Sequence, residues 1–162
     1  MQVSEATMED FESWLLLAAE VEELFGPMVN EPEFHQVLVR KIARGSAFCV
    51  RRADGPPGTP LAGGLLLSQH SQRYGISWLV VSAAWRSNGV GKALVRAALR
   101  RSVTYPCTLE VDTFGIDHPG ARSRGFYEQL GFRAEENLAP GPEGGSRQMY
   151  RLALDSPPPW LA

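Results

Sequence analysis

The sequence predicts a single α/β (α+β) domain, and three stretches predict it. Ile76 to Arg101 reads as strand, glycine turn and helix. Its apolar run Ile76–Val81 holds Trp, Leu and Val of the kind that strands favour, Ser87-Asn88-Gly89-Val90-Gly91 interrupts it, and apolar residues at helical spacing follow. Cys107 to Phe114 alternates Cys107, Leu109 and Val111 with Thr108, Glu110 and Asp112, the period of a half-buried strand. Phe11 to Phe25 carries the stripe of an amphipathic helix. At 162 residues the chain is large enough for one proper core and too small for two.

The remaining elements follow in order. Gln2 to Ala6 predicts a short first strand. Thr7 is a good N-cap with Asp10 at the third helical position, and Phe11, Trp14, Leu15, Ala18, Val21 and Phe25 form a stripe that Gly26-Pro27 ends. Asn30 caps a second helix with Pro32 in its first turn. Phe34, Val37, Leu38 and Ile42 supply its buried face, His35 lies off that stripe as a surface residue, and Gly45 ends it. Ala47–Arg51 reads as a strand, Asp54–Pro60 as a turn-rich connection, and Leu61–Ser68 as a strand that Gly63-Gly64 weakens or bulges. Gln69–Gly75 is a polar turn. In the helix after the glycine turn, Val90, Leu94, Ala97 and Ala98 form the buried stripe, with Lys92, Arg96 and Arg100 on the other side. Gly115–Gly120 is a loop, Pro119 starts a helix that runs to Leu130, Gly131 caps it, and Phe132 opens a strand. Ala139–Gly145 is a hairpin loop before a last strand, Ser146–Leu154. One domain therefore spans residues 1–155, and the Pro-rich tail 156–162 joins no regular element, although Trp160 has the character to pack on a neighbour.

Composition narrows the function classes. Sixteen basic against eighteen acidic residues give a formal net charge of −2, which argues against nonspecific nucleic-acid binding. The start MQVSEATMED has neither the basic nor the apolar region of a signal peptide, and no apolar run reaches the length of a membrane span. Cys49 and Cys107 lack metal-ligand spacing and fall in strands, as buried free thiols do. A cytoplasmic protein with no membrane or nucleic-acid partner is expected. No metal is expected either: three scattered histidines form no cluster, and neither H-E-x-x-H nor the G-x-S-x-G elbow occurs.

The glycine turn has chemical content. The first turn of a helix has N–H groups without partners, and the helix dipole adds partial positive charge there. Gly89 and Gly91 remove side chains that would hold an anion away, and Arg86 and Lys92 bracket the turn with two cations. A phosphate or pyrophosphate is the natural guest. Two other phosphate loops are excluded. Ala93 follows Lys92 where a Walker loop needs Ser or Thr, and Leu94 stands where the dinucleotide fingerprint needs its third glycine.

Arg86-Ser87-Asn88-Gly89-Val90-Gly91 resembles the R/Q-x-x-G-x-G/A signature of the GNAT acyl-CoA-dependent N-acetyltransferases. Leu79-Val80-Val81 before it and Phe126-Tyr127-Glu128-Gln129-Leu130-Gly131-Phe132 after it are similar to further segments of that family. The resemblance covers roughly residues 46 to 154 well and the N-terminal third in outline. It implies a mostly antiparallel, splayed central sheet with helices on both faces, and acetyl-CoA as the acyl donor. By resemblance, main-chain groups of Leu79 and Val81 pair with the pantetheine arm, the N–H of Val81 faces the thioester oxygen, and Arg86 to Lys92 hold the pyrophosphate. The family often has an asparagine where Gly120 stands, and Asp117, His118 or Arg124 are the residues available to replace that contact. The segment joining the first two helices lines the family's acceptor pocket, which assigns Glu22, Glu23 and Phe25 to a cationic amine.

Tyr127 matches the tyrosine that protonates the departing thiolate in many members; the alternative is a core tyrosine beside Phe126 and Leu130. The base is open. Ser77 and Trp78 occupy the strand region where many members carry a glutamate, leaving Glu110 as the first candidate, with Asp112, Glu22, Glu23 and His118 as others. The expected function is acetyl transfer from acetyl-CoA to a primary amine of a small molecule or peptide, by direct attack in a ternary complex. A noncatalytic acyl-CoA-binding or sensing module is the alternative, and a purely structural domain a third. Homodimers are common in the family, so a homodimer is the expected assembly if there is one.

Overall fold

The computed structural model describes residues 1–162. Seven strands form one sheet: β1 (Val3–Glu5), β2 (Ala47–Arg51), β3 (Leu61–His70), β4 (Arg73–Val81), β5 (Cys107–Phe114), β6 (Arg133–Leu138) and β7 (Arg147–Leu154), in the order β1-β2-β3-β4-β5-β7-β6. Every neighbouring pair is antiparallel except β4–β5. Five helices accompany it: α1 (Phe11–Ala19), α2 (Glu22–Phe25), α3 (Pro32–Ala43), α4 (Val90–Ser102) and α5 (Ser123–Gln129). No helix is long and apolar enough to cross a membrane.

The sheet is covered on both faces, so two cores form. α4 and α5 bury Val90, Leu94, Val95, Ala98, Leu99, Tyr127 and Leu130 against Leu65, Leu67, Ile76, Leu109 and Val111. On the other face, α1 and α3 bury Trp14, Leu17, Ala18, Leu38 and Ile42 against Cys49, Leu66, Trp78 and Val80. Gly63 and Gly64 make both approaches possible. A Cβ on Gly63 would lie 2.7 Å from Val90 Cγ1, and one on Gly64 would lie 2.6 Å from the Trp14 ring. These glycines therefore allow two helices to pack closely on opposite sides of β3. A register shift does fall beside them, between Val50 and Arg51. In α4 the buried stripe is wider than expected, with Val95 and Leu99 inside and Ala97 at its half-buried edge.

A second irregularity shapes the site. Leu66 pairs with Trp78 while Leu67 pairs with Ile76, so Ser77 is an extra residue in β4. Such a bulge bends and twists its strand. On the other side of β4, the parallel ladder with β5 runs from Arg73–Thr108 to Ile76–Val111 and stops. Beyond it β4 pairs only with β3 and β5 only with β7, leaving a wedge-shaped opening between Leu79–Val81 and Asp112–Phe114.

Several local expectations change. The first helical stripe is preceded by a 3₁₀ turn (Met8–Asp10) and is itself broken into α1 and α2, because Val21 takes φ −123°, ψ 10°. This break turns α2 toward the end of the sheet, and Leu17 replaces Leu15 in the core. Glu31, not Asn30, stands at the N-cap of α3. His35 is half-buried: its Nε2 lies 2.5 Å from Val29 O and its ring meets Phe11 edge-on at 5.5 Å. The polar turn before β4 shrinks to Ser71 and Gln72, since β3 and β4 pair as far as His70–Arg73. α5 begins at Ser123, after the irregular segment that contains Pro119. The tail is ordered as a 3₁₀ turn (Pro159–Leu161): Leu161 is buried, Trp160 Nε1 donates to Leu130 O at 3.0 Å, and Arg100 Nε donates to Leu161 O at 3.1 Å. Cys49 and Cys107 are buried free thiols, and burial pushes the Cys49 thiol up to about 11.

Candidate active site

The glycine turn lies where β4 hands over to α4. Gly89 takes the N-cap position at φ +79°, the left-handed conformation that glycine adopts without a Cβ penalty. Ser87 shares that region at φ +63°, and Asn88 Nδ2 braces the turn by donating to Arg86 O at 3.0 Å. Helical pairing resumes with Ala93 N donating to Gly89 O at 3.0 Å. The amides of Val90, Gly91 and Lys92 thus belong to the unpaired first turn. Arg86, Ser87, Asn88 and Lys92 are exposed around it, and Arg86 Nε donates to Val81 O at 3.2 Å. This arrangement fits an anion that carries two or more charges.

The opening beside β4 has a defined polarity. Ser82 N donates to Ala62 O at 2.8 Å, so alternation along the antiparallel ladder gives the β3-facing bonds to Val80 and Trp78. Main-chain groups of Leu79 and Val81 accordingly point the other way, into the wedge where β5 has departed. An extended amide-bearing chain can pair with such an edge. A Cβ on Gly91 would lie 3.2 Å from Phe126 Cε2 and 3.7 Å from Val81 Cγ2, so strand, turn and α5 converge within van der Waals reach.

The run Tyr127 to Phe132 is a helix terminus. Gly131 N donates to Glu128 O at 3.0 Å and Phe132 N to Tyr127 O at 3.1 Å, with Gly131 at φ +99°. This is the Schellman pattern, whose usual apolar contact between the residue after the glycine and the last turn is here the edge-on Phe132–Tyr127 pair at 5.5 Å. Tyr127 is 6% exposed, within the core on the α4–α5 face, and burial raises its pKa above that of an ordinary phenol. It therefore stays protonated through the neutral range, as a proton donor must.

The opposite face is closed by loops. Phe25 of α2 meets Phe114 at 5.0 Å, and Phe114 is in turn stacked on His118 at 4.1 Å with Arg147 over its ring at 4.8 Å. Glu143 lies between His118 Nε2 at 3.2 Å and Arg147 Nη1 at 2.6 Å. Burial would raise the Glu143 carboxyl, but hydrogen bonds from Arg147, its own main chain and His118 outweigh it and hold the group at about 2. His118 Nδ1 accepts from Gly120 N at 2.8 Å, which leaves Nε2 to donate to Glu143. Both nitrogens are committed within the chain. A Cβ on Gly26 would lie 2.9 Å from Pro142 Cβ, so the α2–α3 connection touches the β6–β7 loop directly.

The other expected site residues are placed as follows. Glu22 Oε2 accepts from Met28 N at 2.7 Å and Val29 N at 3.2 Å, which fixes the connection after α2; Glu23 is exposed. Arg124 Nη1 donates to Phe114 O at 3.0 Å and Gln148 Oε1 at 2.7 Å, with its guanidinium over Tyr150 at 5.1 Å, so it ties α5 to the ends of β5 and β7 rather than facing the turn. Glu110 Oε1 is held by Arg73 at 2.8 Å and Arg151 at 3.3 Å. Phe114, Glu143 and Arg147 carry no signal in the sequence that marks them as site residues. The two charges lie in or beside a Gly/Pro-rich loop, where a solvated pair reads the same as a locked one.

A model described as "Acetyltransferase (GNAT) family" matches residues 8–132. No curated protein matches in sequence. Among solved structures, Ard1 from Thermoplasma volcanium superposes with a TM-score of 0.72 at 17% identity, covering 94% of this chain and 97% of that one. PaiA N-acetyltransferase from Thermoplasma acidophilum in complex with coenzyme A gives 0.69 at 13%, covering 94% and 98%. NAA60 from Arabidopsis thaliana in complex with a bisubstrate analogue gives 0.70 at 16%, covering 94% and 97%. These likenesses bear out the splayed, mostly antiparallel sheet with helices on both faces. Together with the match over residues 8–132, which holds both the glycine turn and Tyr127, they mean that this chain belongs to the GNAT acetyltransferase family.

Proposed function

We propose that the protein transfers an acetyl group from acetyl-CoA to a primary amine by direct attack in a ternary complex. The observation that supports this reading is the convergence of the open β4 edge, the unpaired first turn of α4 and α5 at Phe126, the residue before Tyr127. The amides of Val90 to Lys92, with Arg86 and Lys92, would hold the pyrophosphate. Leu79 and Val81 would pair with the pantetheine arm, and the Val81 N–H would stabilise the developing oxyanion. Tyr127 would give its proton to the thiolate as the carbon–sulfur bond breaks. The acceptor, a small-molecule or peptide amine, would enter from the opposite face past Phe25, Glu22 and Glu23.

Calorimetric titration with acetyl-CoA tests the cofactor half, and thiol release on adding amines tests transfer. Saturable one-to-one binding and amine-dependent release are expected. Binding without release from any amine would instead favour an acyl-CoA sensor, a reading motivated by Ser77 and Trp78 standing where many family members carry a glutamate. No binding at millimolar acetyl-CoA would withdraw both.

A further inference from the structure

The proton that leaves the acceptor needs a receiving group on the acceptor side of the wedge, and two carboxylates of β5 face that side. Alternation along the strand sends Leu109, Val111 and Thr113 toward α4 and α5, and Glu110, Asp112 and Phe114 toward the face of α1 and α3. The two acids differ in position and in partners. Glu110 stands opposite Gly75, inside the β4–β5 ladder, and its carboxylate is shared between Arg73 and Arg151. Asp112 is the first β5 residue past the last rung on its outer face. Continuing the register would set it against Ser77, the bulge residue at which β4 turns away. Its cross-strand neighbour on β7 is the uncharged Met149, and Phe114 beyond it is covered by Phe25 of the acceptor segment.

We infer that Asp112 is the general base of this enzyme, receiving the acceptor's proton at the mouth of the wedge, on the opposite face from Tyr127. The assignment rests on the acetyl-transfer reading above. Asp112 takes one proton from the ammonium and passes it to solvent, leaving a neutral amine. The amine nitrogen then bonds to the acetyl carbon as the carbon–sulfur bond breaks, and Tyr127 protonates the leaving sulfur. The second nitrogen proton, lost as the amide forms, restores the phenol through solvent. The products are amide, thiol and one released proton. The surroundings suit the role. The Asp112 side chain is exposed, open to the water that would carry its proton away. Desolvation by its neighbours and the charge of Glu110 on the same strand raise its pKa, Arg147 on β7 opposes them, and Glu136 on β6 adds to the rise. A carboxyl shifted upward lies nearer the operating pH and is a better proton acceptor than an ordinary aspartate.

The test compares Asp112→Asn, Asp112→Glu and Glu110→Gln, using acetyl-CoA with n-butylamine, spermidine and a tetrapeptide bearing a free N-terminus as acceptors. Asp112→Asn is expected to lower kcat/KM by about 100-fold and to remove the acidic limb of its pH profile. Asp112→Glu should restore part of the rate. Glu110→Gln should keep the limb but move it to lower pH, because a negative charge beside Asp112 is gone. Calorimetric affinity for acetyl-CoA should be the same in all three, which reports intact folding as well. Amine-dependent thiol release that Asp112→Asn leaves within about threefold of the parent, or a limb that Glu110→Gln abolishes, overturns the assignment while leaving acetyl transfer standing. Acetyl-CoA binding with no thiol release from any acceptor overturns the transfer reading and, with it, the base.

Discussion

Gly91 lies against the edge of the Phe126 ring: a Cβ on this residue would stand 3.2 Å from Phe126 Cε2, between that ring and Val81. The contact joins the first turn of α4 to α5 across the path from the glycine turn to the open β4 edge. Gly91→Ala therefore has two opposed effects on stability. Helix propensity favours alanine by about 1 kcal/mol, and the squeeze on Phe126 returns a similar amount. The melting temperature should hardly move, while acetyl-CoA Kd should rise by about tenfold, equivalent to about 1.4 kcal/mol. Calorimetry and thermal unfolding on one preparation check both.

Tyr127→Phe keeps the ring that meets Phe132 in the helix-terminating motif, so folding and acetyl-CoA affinity should be preserved. If the phenol protonates the leaving sulfur, kcat should fall by about 100-fold. Because burial holds the hydroxyl protonated well above neutral pH, the parent enzyme should show no loss of acid function between about pH 6 and about pH 9. Unchanged kcat in the variant would leave Tyr127 with a packing role alone.

Glu143 links the β6–β7 loop to Arg147 and His118 beneath Phe114. Its folded value of about 2 lies below the ordinary 4.5, so the stability it contributes is present above about pH 4.5 and is lost as pH falls toward 2. Glu143→Gln should abolish that part of the acid dependence. If the amine enters past Phe25, the substitution should also raise the KM for the amine several-fold with little change in acetyl-CoA affinity, because the loop that Glu143 holds touches the α2–α3 connection at Gly26. Steady-state kinetics with each substrate varied in turn separates the two effects.

Asp10 and Arg51 form a buried pair: Asp10 is fully buried and accepts from Arg51 Nε at 2.9 Å, Arg51 Nη2 at 2.7 Å, Thr7 N at 2.8 Å and Gly58 N at 2.9 Å. Burial raises the Asp10 pKa, but these hydrogen bonds outweigh it, and the net shift is downward from 3.8. The contribution is therefore complete above about pH 4 and fades as pH falls through the lower folded value. Asp10→Ala strands the Arg51 charge and should cost about 3–5 kcal/mol, measured by urea unfolding at pH 7.

Residues whose meaning is local are legible in the amino-acid sequence. Gly89 at a left-handed N-cap, Gly131 closing the α5 terminus and the alternation of Cys107–Phe114 all fall where the pattern of the chain puts them, because backbone conformation and period are written in neighbouring residues. The same holds for the four-residue span from Thr7 to Asp10, whose carboxylate does reach back to the Thr7 amide. Gly63 and Gly64 are legible only as a disturbance. Their purpose depends on Val90 and Trp14, which arrive from distant parts of the chain.

What the chain order alone decided was the succession of strands and helices, the glycine turn with its cations Arg86 and Lys92, and the presence of Tyr127 in a helix end. The fold decided which polar groups are spent and which are left to act. Arg124, Glu22, His118 and Glu110 read as candidates because their side chains have the right chemistry. In the folded protein each is engaged by partners outside its own short segment of sequence or by the loop it braces. The wedge itself comes from a bulge at Ser77 and the end of a four-rung parallel ladder. Both are properties of how β3, β4 and β5 twist against one another, and twist is a relation between strands that no single strand's sequence contains.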